Sequence, residues 1–582
     1  MKRSKFNKFP ILKANVKDEL AWEGWEAIAS QLQNAVQKQS GERVVLAIEC
    51  YQGVYEQALV SVVKKYFQTA RLIESSACFK EESVIRAMVQ RDLTDDRVFG
   101  KMTNWEIEDY FDDTQTEKLK KQLDQTQGLV VIIGVGASLL AEPDVLVYAD
   151  MARWEIQQRM RSNTVSNIGV NNAADEVSRQ YKWGFFIDWR MCDRLKKKLM
   201  HRWDFILDTN RAEQPKMVEG AAYREALNQA VNQPLMLVPF FDPGPWGGQW
   251  MKEVCDLDKD RENFAWCFNC VPEENSILLQ FGEVVMESPS INLVFYRPQE
   301  LLGTKVYSRF GAEFPIRFDF LDTVEGGNLS MQVHPTTEYI QDHFGMPYTQ
   351  DESYYMLDAK PGSIVYLGLK DGVEKEDLRA DLEKAQRGEG AFPDEKYINR
   401  FEVKKHDHFL IPSGTIHCSG TDSMVLEISA TPYIFTFKLW DWGRLGLDGK
   451  PRPIHIDHGM NVIQMDRTTE WVKENLVNCI EKVAEGEGWA EERTGLHELE
   501  FIETRRHWFT RKVSHHTEGT VHVLSLVEGE EALVESPENA FAPFTVHYAE
   551  TFIIPAHVGA YTIRPVEENP EKPLATLKAY VR

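Results

Sequence analysis

With 582 residues, of which 43% are hydrophobic and 11% aromatic, the chain carries enough apolar material for several packed cores, and its length predicts about three or four domains. This composition excludes a disordered chain, and a formal net charge of −24 excludes non-specific nucleic-acid binding, which needs surplus Lys and Arg against phosphate. Eight cysteines scattered at 50, 78, 192, 255, 267, 270, 418 and 479 suit reduced thiols in a cytoplasmic protein.

In chain order, the first ten residues are basic but no apolar run follows, so no secretory signal is expected. The most apolar stretch, 128–141, is too short to span a bilayer, so no membrane partner is expected either. Val44–Glu49 reads as a buried strand, Tyr51–Gly53 as a turn and Val54–Phe67 as a helix. Gly128–Gly134 and Val145–Asp150 read as two more strands, the second running into a helix over Met151–Arg161. Strands alternating with helices predict an α/β domain with a parallel sheet over residues 1–228. The order of these elements resembles uridine-kinase-like P-loop folds. A P-loop, however, needs a Lys and a hydroxyl after its glycines so that phosphate and Mg²⁺ can be held. The corresponding stretch from Glu49 to Glu56 supplies neither, and brings two carboxylates that repel phosphate. The domain is therefore expected to be a degenerate, non-catalytic relative of such kinases.

Arg190–Arg202 is locally basic, with Met191, Leu195, Leu199 and Trp203 at helical spacing, and predicts an amphipathic helix with a solvated basic face. Glu213–Asn232 reads as a mixed polar helix, and the domain junction is placed near Asn232–Pro234. Cys267 and Cys270 form the one C-x-x-C, which without further ligands nearby is given a structural role.

Downstream the pattern changes to short strands. In Met331–Val333 followed by His334 and Pro335, Gln332 and His334 stand two apart, so an extended strand presents both on one face. Glu352 opens a strand-like run to Ala359. Phe409–Cys418 reads as an apolar strand, a Pro-Ser-Gly turn and a second strand that delivers His417. One amide, two imidazoles and one carboxylate make an N/O donor set without thiolate, which suits Zn²⁺ in an open catalytic arrangement and also accepts other divalent transition metals. Two core histidines with hydrogen-bond partners are the alternative.

From about Pro234 to the end, the chain resembles type I mannose-6-phosphate isomerases, a family of metal-dependent cupins in carbohydrate metabolism. The pieces occur in the family's order: Phe240–Gly248 with its Trp-Gly-Gly, Leu329–Pro335 with Gln-Val-His-Pro, Glu352–Ala359, Pro412–His417 and Trp440–Arg444. The resemblance implies a metal held by Gln332, His334, Glu352 and His417, a sugar or sugar-phosphate substrate, and aldose–ketose isomerisation. It also implies catalytic roles for Lys438 and Asp319 and substrate contacts from Arg444 and Trp246. Three family cations are altered here: Asp319 and Gln350 stand where the family has Lys, and Lys438 stands where it has Arg, so a phosphorylated substrate is not assured. A catalytically silent sugar-binding or regulatory protein is the alternative.

The expected fold is thus multidomain: the α/β domain, a catalytic cupin over 234–445 with a helical insertion near 371–396, and a C-terminal region, 446–582, with a second cupin-like barrel. Glu470–Glu492 reads as a helical run. Pro555–Gly559 echoes the turn before His417, but no Gln-x-His pair accompanies it, so the second barrel is expected to be metal-free. His515 and His516 read as part of a polar loop without a role. Oligomeric state leaves no trace in the sequence.

Overall fold

The computed structural model describes residues 4–431, 434–445, 452, 454–495 and 497–582. The start of the C-terminal region at 446 lies outside the described residues. The chain divides into two compact units. One comprises Ile11–Ala230 with Glu273–Tyr296, and the other holds the residues up to Pro10, Val231–Pro272 and Arg297–Arg582. Among the described residues no helix is long and apolar enough to cross a membrane.

The first unit is an α/β fold. Five strands, β1 (Arg43–Cys50), β2 (Arg71–Glu74), β3 (Gly128–Gly134), β4 (Val145–Asp150) and β5 (Phe205–Asp208), are all parallel and lie in the order β5-β4-β1-β3-β2. Runs such as Val45–Ile48 and Val130–Ile133 are buried along their whole length because a parallel sheet is covered on both faces. Two short antiparallel strands, Lys216–Glu219 and Ala21–Glu23, extend the β5 edge. The span read as continuous cupin is interrupted. A hairpin formed by Ser276–Phe281 and Val284–Pro289 belongs to the α/β unit, where it pairs with Ile11–Lys13.

The helix expected to carry a solvated basic face runs Trp189–Leu199, and its apolar positions are buried as predicted. Its basic face is not fully solvated, however. Lys196 is 1% exposed and pairs with the equally buried Asp150 at 2.9 Å, because the strand β4 ends in a carboxylate that needs a buried cation.

At the turn after β3, carboxylates of the chain itself take up the backbone donors. Glu49 accepts from Gly136 N, Ser138 N and Ser138 Oγ at 2.6–2.9 Å, and Glu56 accepts from Val135 N. Burial pushes both carboxyls up to about 7. Gly134, at φ +124°, permits this packing, since a Cβ there would lie 2.3 Å from Ser75 Oγ. A cavity of about 620 Å³ opens beyond the carboxyl ends of β1 and β2.

The second unit is mostly sheet and contains two eight-stranded repeats. The first consists of β6 (Ile316–Asp322), β7 (Met331–Val333), β8 (Glu352–Ala359), β9 (Ile364–Leu369), β10 (Ile398–Glu402), β11 (His408–Ile411), β12 (His417–Ser419) and β13 (Ser423–Ala430). Its two sheets run β11-β8-β13-β6, extended by Trp266–Cys270 and Phe240–Asp242, and β10-β9-β12-β7, extended by Phe437–Trp440. The helix Lys375–Gln386 forms the expected insertion between β9 and β10. Cys267 and Cys270 are buried free thiols in the extending strand.

The second repeat consists of β14 (Ile502–Phe509), β15 (Val513–His516), β16 (His522–Glu528), β17 (Glu531–Glu535), β18 (Phe544–His547), β19 (Thr551–Ile554), β20 (Ala560–Pro565) and β21 (Leu574–Val581). Its sheets run β19-β16-β21-β14 and β18-β17-β20-β15, the order of the first repeat strand for strand. A core of Phe509, Leu524, Leu526, Val534, Phe552, Ile563 and their neighbours lies within it. The run read as helix over 470–492 is helical only over Thr469–Asn475. Glu481–Gly486 and Trp489–Gly495 form a hairpin that pairs along β14, so tertiary pairing overrides the helical propensity of Glu, Lys and Ala. His515 is not in a loop: it lies on β15, is 8% exposed and faces inward.

Candidate metal centre

β7 ends as it reaches Pro335, which has no N–H to continue a ladder. Gln332 and His334 therefore leave the strand on one face, toward the interior, where Gln332 is directly opposite His417 of β12. Glu352 is the first residue of β8. These three strands bring His334, Glu352 and His417 together, with one donor atom from each lying within 4.8 Å of the others. All three are at most 2% exposed.

The hydrogen bonds around the two rings fix their chemistry. His417 Nδ1 donates to the carbonyl of Thr415 at 2.9 Å, and His334 Nδ1 to that of Phe435 at 3.2 Å. Each Nε2 is then left with its lone pair aimed inward. The Nε2 atoms stand 3.1 Å (His334) and 2.7 Å (His417) from the Glu352 carboxylate, while His334 Nε2 and Glu352 Oε1 make no hydrogen bond. Two imidazole lone pairs facing a carboxylate without a proton between them are electrostatically incomplete, and a cation completes them. The Gln332 amide lies 3.3 Å from His417 Nε2, and a half-turn about its last torsion would swap its oxygen for its nitrogen. Burial raises the Glu352 carboxyl, but positive charge on the facing imidazoles would outweigh it and hold the group well below the usual carboxylate range. The four residues fit a divalent metal of the zinc class.

Around this set lies a buried ionic layer that the motifs did not announce. Arg317 bonds Asp319 at 3.1 Å and stands 3.6 Å from Glu427, while Gln350 donates to both Glu352 and Glu427. Asp319 is raised to about 6 by burial against the pull of Arg317, and Glu427 is raised well above its ordinary value by burial and by the neighbouring carboxylates. Asp319 is thus paired with Arg317. The period-two spacing Arg317-x-Asp319 and Glu427-x-Ser429 was the available signal, since both pairs had to share a strand face.

Lys438 is opposite Gln332 in the ladder between β7 and Phe437–Trp440 and makes no salt bridge among the described residues. Burial, with the nearby Arg452, brings its ammonium down to about 7. The other two candidates are committed elsewhere. Arg444 donates to Asp441 at 2.7 Å and to the carbonyl of Asn328 at 2.6 Å. Trp246 is 1% exposed and packs edge-on against Trp266, so it presents no open wall to a substrate.

Residues 24–232 match the model of a domain of unknown function, DUF8485. The chain is also similar to curated isomerases. It is 27% identical over 239 residues, 41% of this chain and 70% of the relative, to mannose-6-phosphate isomerase ManA of Bacillus subtilis. It is 25% identical over 237 residues, 40% of this chain and 69% of the relative, to mannose-6-phosphate isomerase of Streptococcus mutans. Among solved structures, the mannose 6-phosphate isomerase from Bacillus subtilis aligns over 60% of this chain and 99% of its own, at 18% identity and a TM-score of 0.49.

Proposed function

We propose that this protein is a metal-dependent aldose–ketose isomerase of the mannose-6-phosphate isomerase type, acting on mannose 6-phosphate or a related sugar in the first repeat. The observation that carries this is the buried trio His334, Glu352 and His417, whose inward lone pairs and carboxylate demand a cation. Sequence similarity to curated isomerases over two-fifths of the chain supports it.

A divalent ion held by these residues and Gln332 would polarise adjacent sugar oxygens as a Lewis acid. Lys438 is our candidate for moving the proton between the two carbons. It stands opposite a ligand-bearing position, and with its pKa at about 7 it exchanges a proton near neutrality. Asp319, held by Arg317, serves to set the charge of the layer behind Glu352. Arg444 fixes the loop at Asn328 against Asp441, and the Trp246 carbonyl accepts from Gly327 N in the same loop. The α/β unit is read as kinase-like in ancestry, with its phosphate-holding amides filled by Glu49 and Glu56, and non-catalytic. The protein is placed in the cytoplasm.

The test is a coupled assay of metal-loaded protein on mannose 6-phosphate, mannose and other free sugars, with metal content measured beside it. Turnover that disappears in His334→Ala together with bound metal is expected. Stoichiometric metal without turnover on any sugar sinks the isomerase. One observation favours the alternative of a silent sugar-binding protein: Arg317 engages both Asp319 and Glu427, so these groups are committed to one another and less free to handle a substrate.

A further inference from the structure

The two repeats of the second unit can be superposed position by position through their ladders. β6 begins Ile316 opposite Ala430, and β14 begins Ile502 opposite Val581. Glu352 and His522 each open their strand, opposite Ile411 and Ser429 in one case and Ile554 and Tyr580 in the other. The inward pair Gln332 and His417 corresponds to His515 and Tyr561. In these registers Arg317, Asp319, Glu352 and Glu427 correspond to Glu503, Arg505, His522 and Lys578.

The layer is thus kept and its sign reversed. The first repeat places three carboxylates and one guanidinium around the point where a cation fits. The second places a guanidinium, an ammonium and an imidazole beside one carboxylate. The ion pair along the first strand is retained with its partners exchanged: Arg317 with Asp319 in one, Glu503 with Arg505 at 2.5 Å in the other.

Not all of this charge is already spoken for. Arg505 is held by Glu503 and Glu491, and His507 faces Glu491 at 3.2 Å. Tyr561 donates to His522 Nδ1 at 2.8 Å, because that nitrogen is the acceptor left to a neutral ring. Lys578 has no carboxylate within salt-bridge distance among the described residues, and rests against the Tyr580 ring. Buried beside it, His515 has an Nε2 and His507 an Nδ1 that find no partner. Lys578 and His515 each keep 8% exposure as residues, while the two unpartnered ring nitrogens are themselves shielded from solvent. No trio of donor atoms here meets the spacing of the first repeat's metal set.

We propose that the interior of the second repeat binds a small oxyanion, a phosphate or carboxylate group, between Lys578 and the unpartnered imidazole of His515. An ammonium is a natural partner for a phosphate or carboxylate oxygen, and a buried cation without one is an incomplete site. This site is independent of the isomerase reading, because none of its groups belongs to the first repeat.

The experiment uses the full chain in phosphate-free buffer, titrated calorimetrically with inorganic phosphate and separately with acetate. Phosphate is expected to bind both wild type and His334→Ala, to weaken about tenfold or more in Lys578→Gln, and to be largely retained in Lys578→Arg. The imidazole resonances of His507 and His515 are expected to move on titration of the wild-type protein, which tests the site even if a variant fails to fold. In the His334→Ala chain a hexose 6-phosphate binding more tightly than free phosphate would identify the anion as the phosphoryl group of a metabolite, and equal binding as the free ion. No binding of either anion, binding indifferent to Lys578→Gln, or binding lost in His334→Ala would overturn the proposal.

Discussion

The two repeats share strand order, strand lengths at β13 and β21, and ladder register, yet their interiors carry opposite chemistry. In the first, imidazole lone pairs converge on Glu352, and Arg317 stabilises a surplus of carboxylate. In the second, Lys578 and Arg505 stand at the positions of Glu427 and Asp319. The difference teaches that the scaffold supplies positions, not a site. Strand direction and pleat decide which residues look inward, and a handful of inward substitutions converts a cation-holding interior into a cation-rich one.

The comparison is broken most severely by removing a ligand. Glu352→Ala leaves two imidazole lone pairs without the carboxylate that balances a metal. Changes one layer out from a metal typically lower affinity or activity about 10–100-fold, so this variant is expected to lose at least about 100-fold in both. Metal content and the coupled assay check it. Undiminished metal content would place the centre elsewhere. A graft sharpens the contrast further. Glu427→Lys writes the second repeat's residue into the first and sets an unpaired cation against Arg317. Breaking a buried ionic layer in this way is expected to destabilise the unit by about 3–5 kcal/mol, read as a lowered denaturation midpoint and lost metal.

How much of this contrast the sequence could reveal depended on separation along the chain. Gln332, His334 and His417 are legible because a period-two pair and a turn-bounded His announce themselves locally. Glu352 needed only its place at the head of an apolar strand. The Arg317–Asp319–Glu427 layer spans more than a hundred residues and carries no local signature beyond same-face spacing. The hairpin Glu481–Gly495 was hidden for a related reason: its Glu, Lys and Ala favour helix, and only the neighbouring strand β14 makes them extended. His515 sits among Ser, His, Thr and Glu, which read as a loop, and it is covered by residues on other strands, Tyr561 and His507 among them. In the α/β unit the alternation of strands and helices was legible directly, because buried runs such as Val45–Ile48 and Val130–Ile133 are apolar along their whole length.

A smaller effect separates the repeats by pH. Burial, with Arg505 nearby, lowers Lys578 to about 8, against the Coulombic pull of Glu491 and Glu503, while His507, His515 and His522 around it are held neutral by burial. A Lys depressed in the folded state binds fewer protons than in the unfolded chain between about 8 and its ordinary value near 10.4, so stability rises with pH across that window and the penalty is fully present below it. The shift corresponds to about 3 kcal/mol at most. Lys578→Met is therefore expected to stabilise the unit at pH 7 and to flatten its stability between pH 8 and 10, measured by urea denaturation. Added phosphate should flatten the wild-type curve too, because an anion raises the ammonium back toward its ordinary value. A pH dependence unchanged in Lys578→Met would mean that this ammonium is not desolvated.

The smallest expected effect concerns His557. Pro555–Gly559 occupies the turn between β19 and β20, as Pro412–Ile416 occupies the turn between β11 and β12, so His557 is the histidine that the shared turn brings nearest to the place of His417. The ladder assigns that position to Tyr561, which faces His515 as His417 faces Gln332, and leaves His557 exposed on the turn. An exposed side chain without a buried partner contributes within about 0.5 kcal/mol. His557→Ala is accordingly expected to leave the denaturation midpoint, the metal content and phosphate binding where they were. A loss of either ligand in this variant would show that the turn folds inward in solution. Pairing the repeats by motif would then be right and pairing them by ladder register wrong.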